Sequence, residues 1–379
     1  MDIKAVDKEY IANTYARFDL TITGGRGSIV YDDQGKEYID LGSGIAANSV
    51  GICDPVWQQA VIEQLMQVQH TSNLYYTAPQ AKLAKLLCEK TGMKKVFFSN
   101  SGAESNECAI KAARKYASDK NSGRDTIITL WQSFHGRTIS TLSATGQEHF
   151  HQHFGPFTPG FVHVKANDIE DLRAAVANNK VCGIMMEMVQ GEGGVNCLDK
   201  EFVDECAKIC AENDILLMVD EVQTGNGRTG KLYAYEHYGI KPDIVSTAKG
   251  LGGGLPIGAT LLGEKVENTL SAGTHGSTFG GNPICAAGAY SIISRLDDEF
   301  LAEVTAKSEY IFSQFPNATG MGLMIGIATE KPAGEVVRAA MEKGVLCLTA
   351  KTKVRLLPAL TIPWDQLKKA VAILKEVME

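Results

Sequence analysis

The chain has no paired-cysteine pattern, no long apolar run and no block of like charge. Its nine cysteines are odd in number, scattered and free of any CxxC. No disulfide framework is expected, and reduced thiols point to a cytoplasmic protein. Cys206 and Cys210 stand one helical turn apart and read as packing. No apolar stretch approaches the roughly 20 residues of a membrane-spanning helix. The opening Met1-Asp2-Ile3-Lys4-Ala5-Val6-Asp7-Lys8-Glu9 is too polar for an export signal. Thirty-seven Lys and Arg against 44 Asp and Glu leave a net charge of −7 without long runs. That balance weighs against nucleic acid and membrane surfaces as partners. Internal repeats, low-complexity tracts and linkers are lacking too. What remains is 379 residues, enough for one large and one small domain around a sizeable core.

Among what is there, Lys249 is the most informative residue. It lies in Ser246-Thr247-Ala248-Lys249-Gly250-Leu251-Gly252-Gly253-Gly254, just after the strand-like Asp243-Ile244-Val245. An ammonium between a buried strand and a glycine run loses hydration, so its pKa should fall. A neutral lysine amine forms imines with carbonyls, including the aldehyde of pyridoxal phosphate. Alone, such a lysine reads as one snorkelling from a strand end. The second motif, Ile215-Leu216-Leu217-Met218-Val219-Asp220, changes that reading. Five apolar residues form a buried strand that ends in an acid. Ligands of α/β sheets bind at carboxyl strand ends. Asp220 there can pair with a protonated pyridine nitrogen and keep the ring electron-accepting.

Gly225-Asn226-Gly227-Arg228-Thr229-Gly230-Lys231 matches both GxGxxG and GxxxxGK. A nucleotide-binding protein using this loop is therefore the rival from a different class. Leu232 stands where a P-loop needs Ser or Thr, however. Asp220 and Glu221 at the strand end would also repel a pyrophosphate. The segment reads as a glycine-rich surface loop.

Val96-Phe97-Phe98-Ser99 followed by Asn100-Ser101-Gly102-Ala103 reads as a strand, a turn and a helix start. Free N–H groups at Ser101, Gly102 and Ala103 make an anion site suited to one phosphate ester. In Leu130-Trp131-Gln132-Ser133-Phe134-His135-Gly136-Arg137-Thr138, Phe134 can stack on a planar cofactor and Arg137 can clamp a carboxylate. His149, His151 and His153 alternate, but Gly155-Pro156 and Pro159-Gly160 follow, so a loop and no metal site is expected.

Helical patterns alternate with strands at Val96–Ser99, Thr126–Leu130, Gly183–Glu187, Ile215–Asp220, Asp243–Thr247 and Ala259–Leu262. That order predicts an α/β fold with a mostly parallel sheet wrapped by helices. Residues 1 to about 50 give short strands, Asn282 to about Phe315 reads helical, and further strands and helices fill the C-terminal part.

In this ordered set, from Tyr31-Asp32-Asp33-Gln34-Gly35-Lys36-Glu37-Tyr38-Ile39-Asp40 to Val354-Arg355-Leu356-Leu357-Pro358, the chain resembles the class III, fold-type I pyridoxal-phosphate aminotransferases. The resemblance implies a large cofactor domain over 51–280. It implies a smaller α+β domain from both chain ends, 1–50 and 281–379, with 281–315 a bridging helix. Lys249 would carry pyridoxal 5′-phosphate as an imine and Asp220 would hold its ring nitrogen. Gln223 would approach the ring hydroxyl, Phe134 and Val222 would flank the ring, and Glu221 would be among the cofactor-binding residues. Ser101, Gly102 and Ala103 would take the phosphate. Thr278, in His275-Gly276-Ser277-Thr278-Phe279-Gly280-Gly281-Asn282-Pro283, would reach the phosphate of a partner subunit, so the resemblance implies a homodimer with shared sites. Ser277, Arg137 and Glu187 would border the substrate. Arg355 would grip the 2-oxo acid, paired with Glu192 when that acid is absent. Met188, Gly51-Ile52-Cys53-Asp54-Pro55 and Leu357-Pro358-Ala359 depart from the usual family pattern. None touches the cofactor set.

The substrate expectation rests on Leu41-Gly42-Ser43-Gly44-Ile45-Ala46-Ala47-Asn48 and Asn73-Leu74-Tyr75-Tyr76-Thr77. Gly44 takes the place of a tyrosine that, in ornithine-specific relatives, binds the α-carboxylate. The resemblance then implies ping-pong transamination of N2-acetyl-L-ornithine with 2-oxoglutarate, to N-acetyl-L-glutamate 5-semialdehyde and L-glutamate, in arginine biosynthesis. Ornithine, succinylornithine and 4-aminobutyrate stay open as donors.

Overall fold

The computed structural model describes residues 1–379. Its centre is a seven-stranded sheet. In spatial order the strands are Lys95–Ser99, Gly258–Leu262, Ile244–Thr247, Leu216–Asp220, Val181–Met186, Thr126–Leu130 and Phe161–Val164. Six run the same way. Gly258–Leu262 runs antiparallel to both of its neighbours.

The apolar runs are continuous because both faces of this sheet are covered. Leu216 and Met218 pack with Ala109, Ala113 and Tyr116 of the helix Gly102–Asp119. Leu217 and Val219, pointing the other way, share a core with Phe202, Val203 and Cys206 of the helix Lys200–Asn213. Cys206 and Cys210 are indeed interior packing residues. Phe161–Val164 extends one edge and escaped the sequence reading; it has only four residues, and the His163 within it breaks the apolar run.

The first strands form a second sheet, Ile22–Arg26, Ile29–Asp32 and Glu37–Asp40, completed by Val345–Leu346 lying parallel to Glu37–Asp40. The two ends of the chain thus share one sheet. A third sheet joins Ala318–Met321, Met324–Ala328, Lys353–Leu356 and Leu348–Ala350, with the helix Ala333–Glu342 beside it and Trp364–Met378 packed on that helix. The stretch expected to be one helix after Asn282 is two, Pro283–Ile293 and Asp298–Gln314. Asp297 caps the second by accepting from Phe300 N, which fixes the break. Pro283–Ile293 packs on Pro55–Leu65 and Ala78–Thr91. No helix is long and apolar enough to cross a membrane.

Candidate active site

Parallel strands deliver their C-terminal residues to one edge of the sheet. Here that edge carries Ser99-Asn100, Leu130 with the loop to Phe134, Met186-Glu187, Asp220 and Thr247 with the turn to Lys249. The reversed strand starts at the same edge, which brings Gly254 through Ile257 there too. Together they surround a cavity of about 440 Å³. Of the residues expected at a cofactor, Ser101, Gly102, Ala103, Phe134, Asp220, Val222, Gln223 and Lys249 line it; so do Arg137 and Glu187.

Asp220 is buried, 3 % exposed, and its carboxylate is held from three sides. Oδ1 accepts from Val222 N at 3.0 Å, and Oδ2 accepts from Asn106 Nδ2 at 2.7 Å and faces His135 Nδ1 at 2.8 Å. Asn106 also donates to His135 O at 2.8 Å, and His135 N donates to Thr145 Oγ1 at 2.9 Å. Burial disfavours a charged imidazole, yet the hydrogen bond and charge of Asp220, with Glu187 nearby, raise His135 above its ordinary value. His135 lies within a motif singled out above and Asn106 three residues beyond another, and the sequence assigns neither a role. A polar residue right after the stacking aromatic, and one a helical turn past the anion turn, were the available signals.

Glu187 accepts from Phe134 N at 3.0 Å. Burial pushes its carboxyl up to about 8. Lys249 is lowered, first by burial, against the opposing pull of Glu192. Its backbone is left-handed, φ +42°, which is rare for a residue with a Cβ. Gln223 Oε1 is buried with no partner. Gly102 makes a close approach: a Cβ there would lie 2.6 Å from Val222 Cγ1. Ser101 caps the helix by accepting from Glu104 N at 3.2 Å.

Three expectations need correction. Glu221 does not line the cavity. It is fully buried on the other side of the strand end, accepting from Thr224 Oγ1 and from Tyr235 N at 2.9 Å. Side chains alternate along an extended strand end, and only Asp220 faces in. The glycine-rich loop Gly225–Gly230 is interior, not surface. The buried Arg228 guanidinium donates to Leu323 O at 3.2 Å and to Pro358 O. Of the alternating histidines, His149 and His151 sit on the short helix Glu148–His151, where a loop was expected. His149 packs against Phe150, and His151 Nε2 lies 2.8 Å from Leu142 O.

The charged rim differs from the cavity floor. Arg137 is exposed and lies over the Phe150 ring, 4.0 Å from its centroid, and 5.4 Å from that of Phe134. It has no acidic partner. Arg355, 4 % exposed, donates to Glu192 Oε1 at 2.6 Å. Burial opposes the Glu192 charge, but Arg355 and then Lys249 hold its carboxyl below the ordinary value. Neither partner of that pair lines the cavity itself. Ser277 Oγ accepts from Asn100 Nδ2 at 3.1 Å, beside the cavity wall. Thr278 is exposed, away from this cavity. Gly44 borders an adjoining apolar groove with Phe18, Ile45 and Leu348. Its φ is +61°, a conformation glycine takes without strain and a tyrosine does not.

Comparison with known proteins agrees with this geometry. The Aminotransferase class-III family model matches residues 10–378. The chain is similar to acetylornithine aminotransferase of Haemophilus ducreyi, 51 % identical over 99 % of this chain and 98 % of that one. The corresponding protein of Aquifex aeolicus is 42 % identical, over 97 % of this chain and 100 % of that one. Among solved structures, ornithine aminotransferase of Toxoplasma gondii ME49 superposes with a TM-score of 0.95 at 29 % identity, covering 99 % of this chain and 94 % of that one. N-acetylornithine aminotransferase of Stenotrophomonas maltophilia K279a gives 0.84 at 34 %, covering 98 % and 97 %.

Proposed function

The chain belongs to the class-III aminotransferases, and from that premise we propose that it moves the amino group of N2-acetyl-L-ornithine to 2-oxoglutarate, yielding N-acetyl-L-glutamate 5-semialdehyde and L-glutamate. The single observation that carries the chemistry is the meeting of Asp220 and Lys249 in one cavity. Enzymes of this family use pyridoxal phosphate, and the residues present fit it. A phosphate suits the helix start at Gly102 and Ala103, where N–H groups lack helical partners and no Cβ on Gly102 blocks Val222. The unpartnered Gln223 Oε1 is an acceptor waiting for a hydroxyl. Phe134 and Val222 offer apolar surface to a ring.

When bound, the cofactor supplies an electron sink for the substrate's α-type carbanion. Asp220 holds the ring nitrogen; three hydrogen bonds already orient the carboxylate, so little reorganisation accompanies binding. His135 backs the acid and keeps a proton next to it. Burial keeps the Lys249 amine in the neutral form more than an exposed lysine, fit to act as nucleophile and then to carry a proton between carbon atoms. Arg137, unpaired, binds the carboxylate of the amine donor. Arg355 stays covered by Glu192 while that donor occupies the site, then grips the 2-oxo acid.

The donor assignment rests on the relatives' activity and on Gly44, which puts no hydroxyl near an ornithine carboxylate. An amide costs less to desolvate than an ammonium left without an anion. In a donor panel with 2-oxoglutarate, N-acetylornithine should exceed ornithine in kcat/KM by at least roughly tenfold. Faster use of ornithine or 4-aminobutyrate overturns the donor and leaves the aminotransferase standing.

The same reading divides the chain into a cofactor domain, 51–280, and a smaller one from 1–50 and 281–379. It makes the protein a homodimer that places Thr278 at the partner's phosphate. Supporting this, Asn73 Nδ2 donates to Ser277 O at 3.2 Å and to Gly280 O at 2.8 Å. This ties the loop to Leu74, Tyr75 and Tyr76, which are 87 %, 69 % and 106 % exposed, a patch that asks for cover. Sedimentation at micromolar concentration as a monomer would refute it. Nine free cysteines accord with a cytoplasmic setting.

A further inference from the structure

The glycine-rich loop after Asp220 is interior, and its Asn226 is built toward the active lysine. Asn226 is 1 % exposed and left-handed, φ +59°. Its Nδ2 donates to Thr247 Oγ1 at 2.9 Å and to Ala248 O at 3.1 Å, the two residues directly before Lys249. On the other side, Ser49 Oγ donates to Gly250 O at 2.7 Å, the residue directly after it. Ser49 is itself 2 % exposed. The peptide that carries Lys249 is thus gripped from both ends by buried side chains of distant segments. Between the grips Lys249 has φ +42° and Ala248 φ −165°.

A left-handed residue with a side chain is strained and persists only where its surroundings over-determine it. The two clamps are those surroundings. Packing alone does not account for Asn226, because its Oδ1 is buried without a partner. A buried acceptor left unmade is costly, so the residue is kept for what its amide donates. The direction in which the Lys249 Cβ leaves the backbone follows from φ, and the side chain must end in the cavity opposite Asp220.

We propose that Asn226, assisted by Ser49, is a positioning residue that holds Lys249 in its left-handed conformation and aims the amine at the carbonyl it must attack. The proposal rests on the aminotransferase reading. The step concerned is condensation: the Lys249 nitrogen bonds to the cofactor's aldehyde carbon, a C=N bond forms, and the carbonyl oxygen departs as one water.

The test separates aiming from holding. Apo-protein is mixed with pyridoxal 5′-phosphate and the visible imine band is followed in time. In parallel, the Kd of pyridoxine 5′-phosphate, which has no aldehyde, reads the non-covalent cradle alone. In Asn226→Ala the condensation rate should fall by roughly tenfold or more while the pyridoxine 5′-phosphate Kd stays within about twofold. Ser49→Ala should show the same split, by about threefold. An unchanged condensation rate in Asn226→Ala overturns the proposal. So does an equal loss of both readouts, which marks a merely structural residue. Should Asn226→Ala not fold, an unchanged rate in Ser49→Ala overturns it equally. Wild-type protein that forms no imine at all would instead refute the aminotransferase reading beneath it.

Discussion

The floor of the cavity and its rim are built on opposite terms. On the floor, Asp220, Asn106, His135 and Glu187 are buried and joined by short hydrogen bonds to one another or to backbone. Nothing there needs to move when a cofactor is exchanged between its two forms. On the rim, Arg137 is exposed against aromatic faces, and Arg355 is held by an acid that is 29 % exposed. A fixed floor suits chemistry that is the same in both half-reactions. An exchangeable rim suits two substrates that enter in turn and differ in charge. A cavity whose two arginines were both locked, or both free, would lack the means to tell the donor from the acceptor.

Changes to the floor should therefore damage both half-reactions, and most severely. Lys249→Ala removes nucleophile and proton carrier together and should lower turnover at least roughly a thousandfold, while cofactor is still retained non-covalently. Asp220→Ala should cost roughly a hundredfold or more, because the ring nitrogen loses its partner. Near-normal turnover of either variant, in a coupled glutamate assay, breaks the assignment of the floor.

Changes to the rim should split the half-reactions. Arg137→Ala should slow transfer from N-acetylornithine by at least roughly tenfold, whereas Arg355→Ala should slow transfer to 2-oxoglutarate by a similar factor and leave the first half within about threefold. Stopped-flow spectra of each half separate the two. Equal losses in both halves for Arg355→Ala would show that its pair with Glu192 is structural only.

How much of this was readable in the residues depends on the kind of signal. Asp220 and Lys249 could be found because a buried strand announces itself by apolar run, and a polar residue at its end stands out. The mostly parallel sheet followed from the same runs. Glu221 was misplaced because adjacent residues at a strand end point to opposite faces, and sequence does not show which. The Gly225–Gly230 loop looked like surface because glycine and arginine are usually exposed. Its burial depends on the carbonyls of Leu323 and Pro358, about a hundred residues away. The break between the helices Pro283–Ile293 and Asp298–Gln314 has a local signal in the sequence, Asp297 as a cap. His135 acquires its role only from a partner 85 positions on, which no local pattern contains.

The smallest expected effect sharpens the floor itself. The Glu187 carboxyl is raised from 4.5 to about 8 by burial. The folded protein therefore binds this proton more tightly than the unfolded chain. Its contribution to stability is full below pH 4.5 and is lost as pH rises through about 8. Glu187→Gln keeps an acceptor for Phe134 N but does not titrate. Between pH 5 and 8 the melting temperature of the apo-protein should fall by at least about 2 °C more in the wild type than in this variant. Parallel curves would place Glu187 in a more polar setting than the floor described above.

The central claim, that Lys249 is the residue joined to pyridoxal phosphate opposite Asp220, is tested most directly by trapping the bond. Protein loaded with pyridoxal 5′-phosphate is reduced with borohydride, digested, and its peptides are mapped by mass. The account predicts one phosphopyridoxyl group per chain, on the peptide containing Ala248-Lys249-Gly250, with the visible band abolished. A modification spread over surface lysines, or none at Lys249, would contradict it.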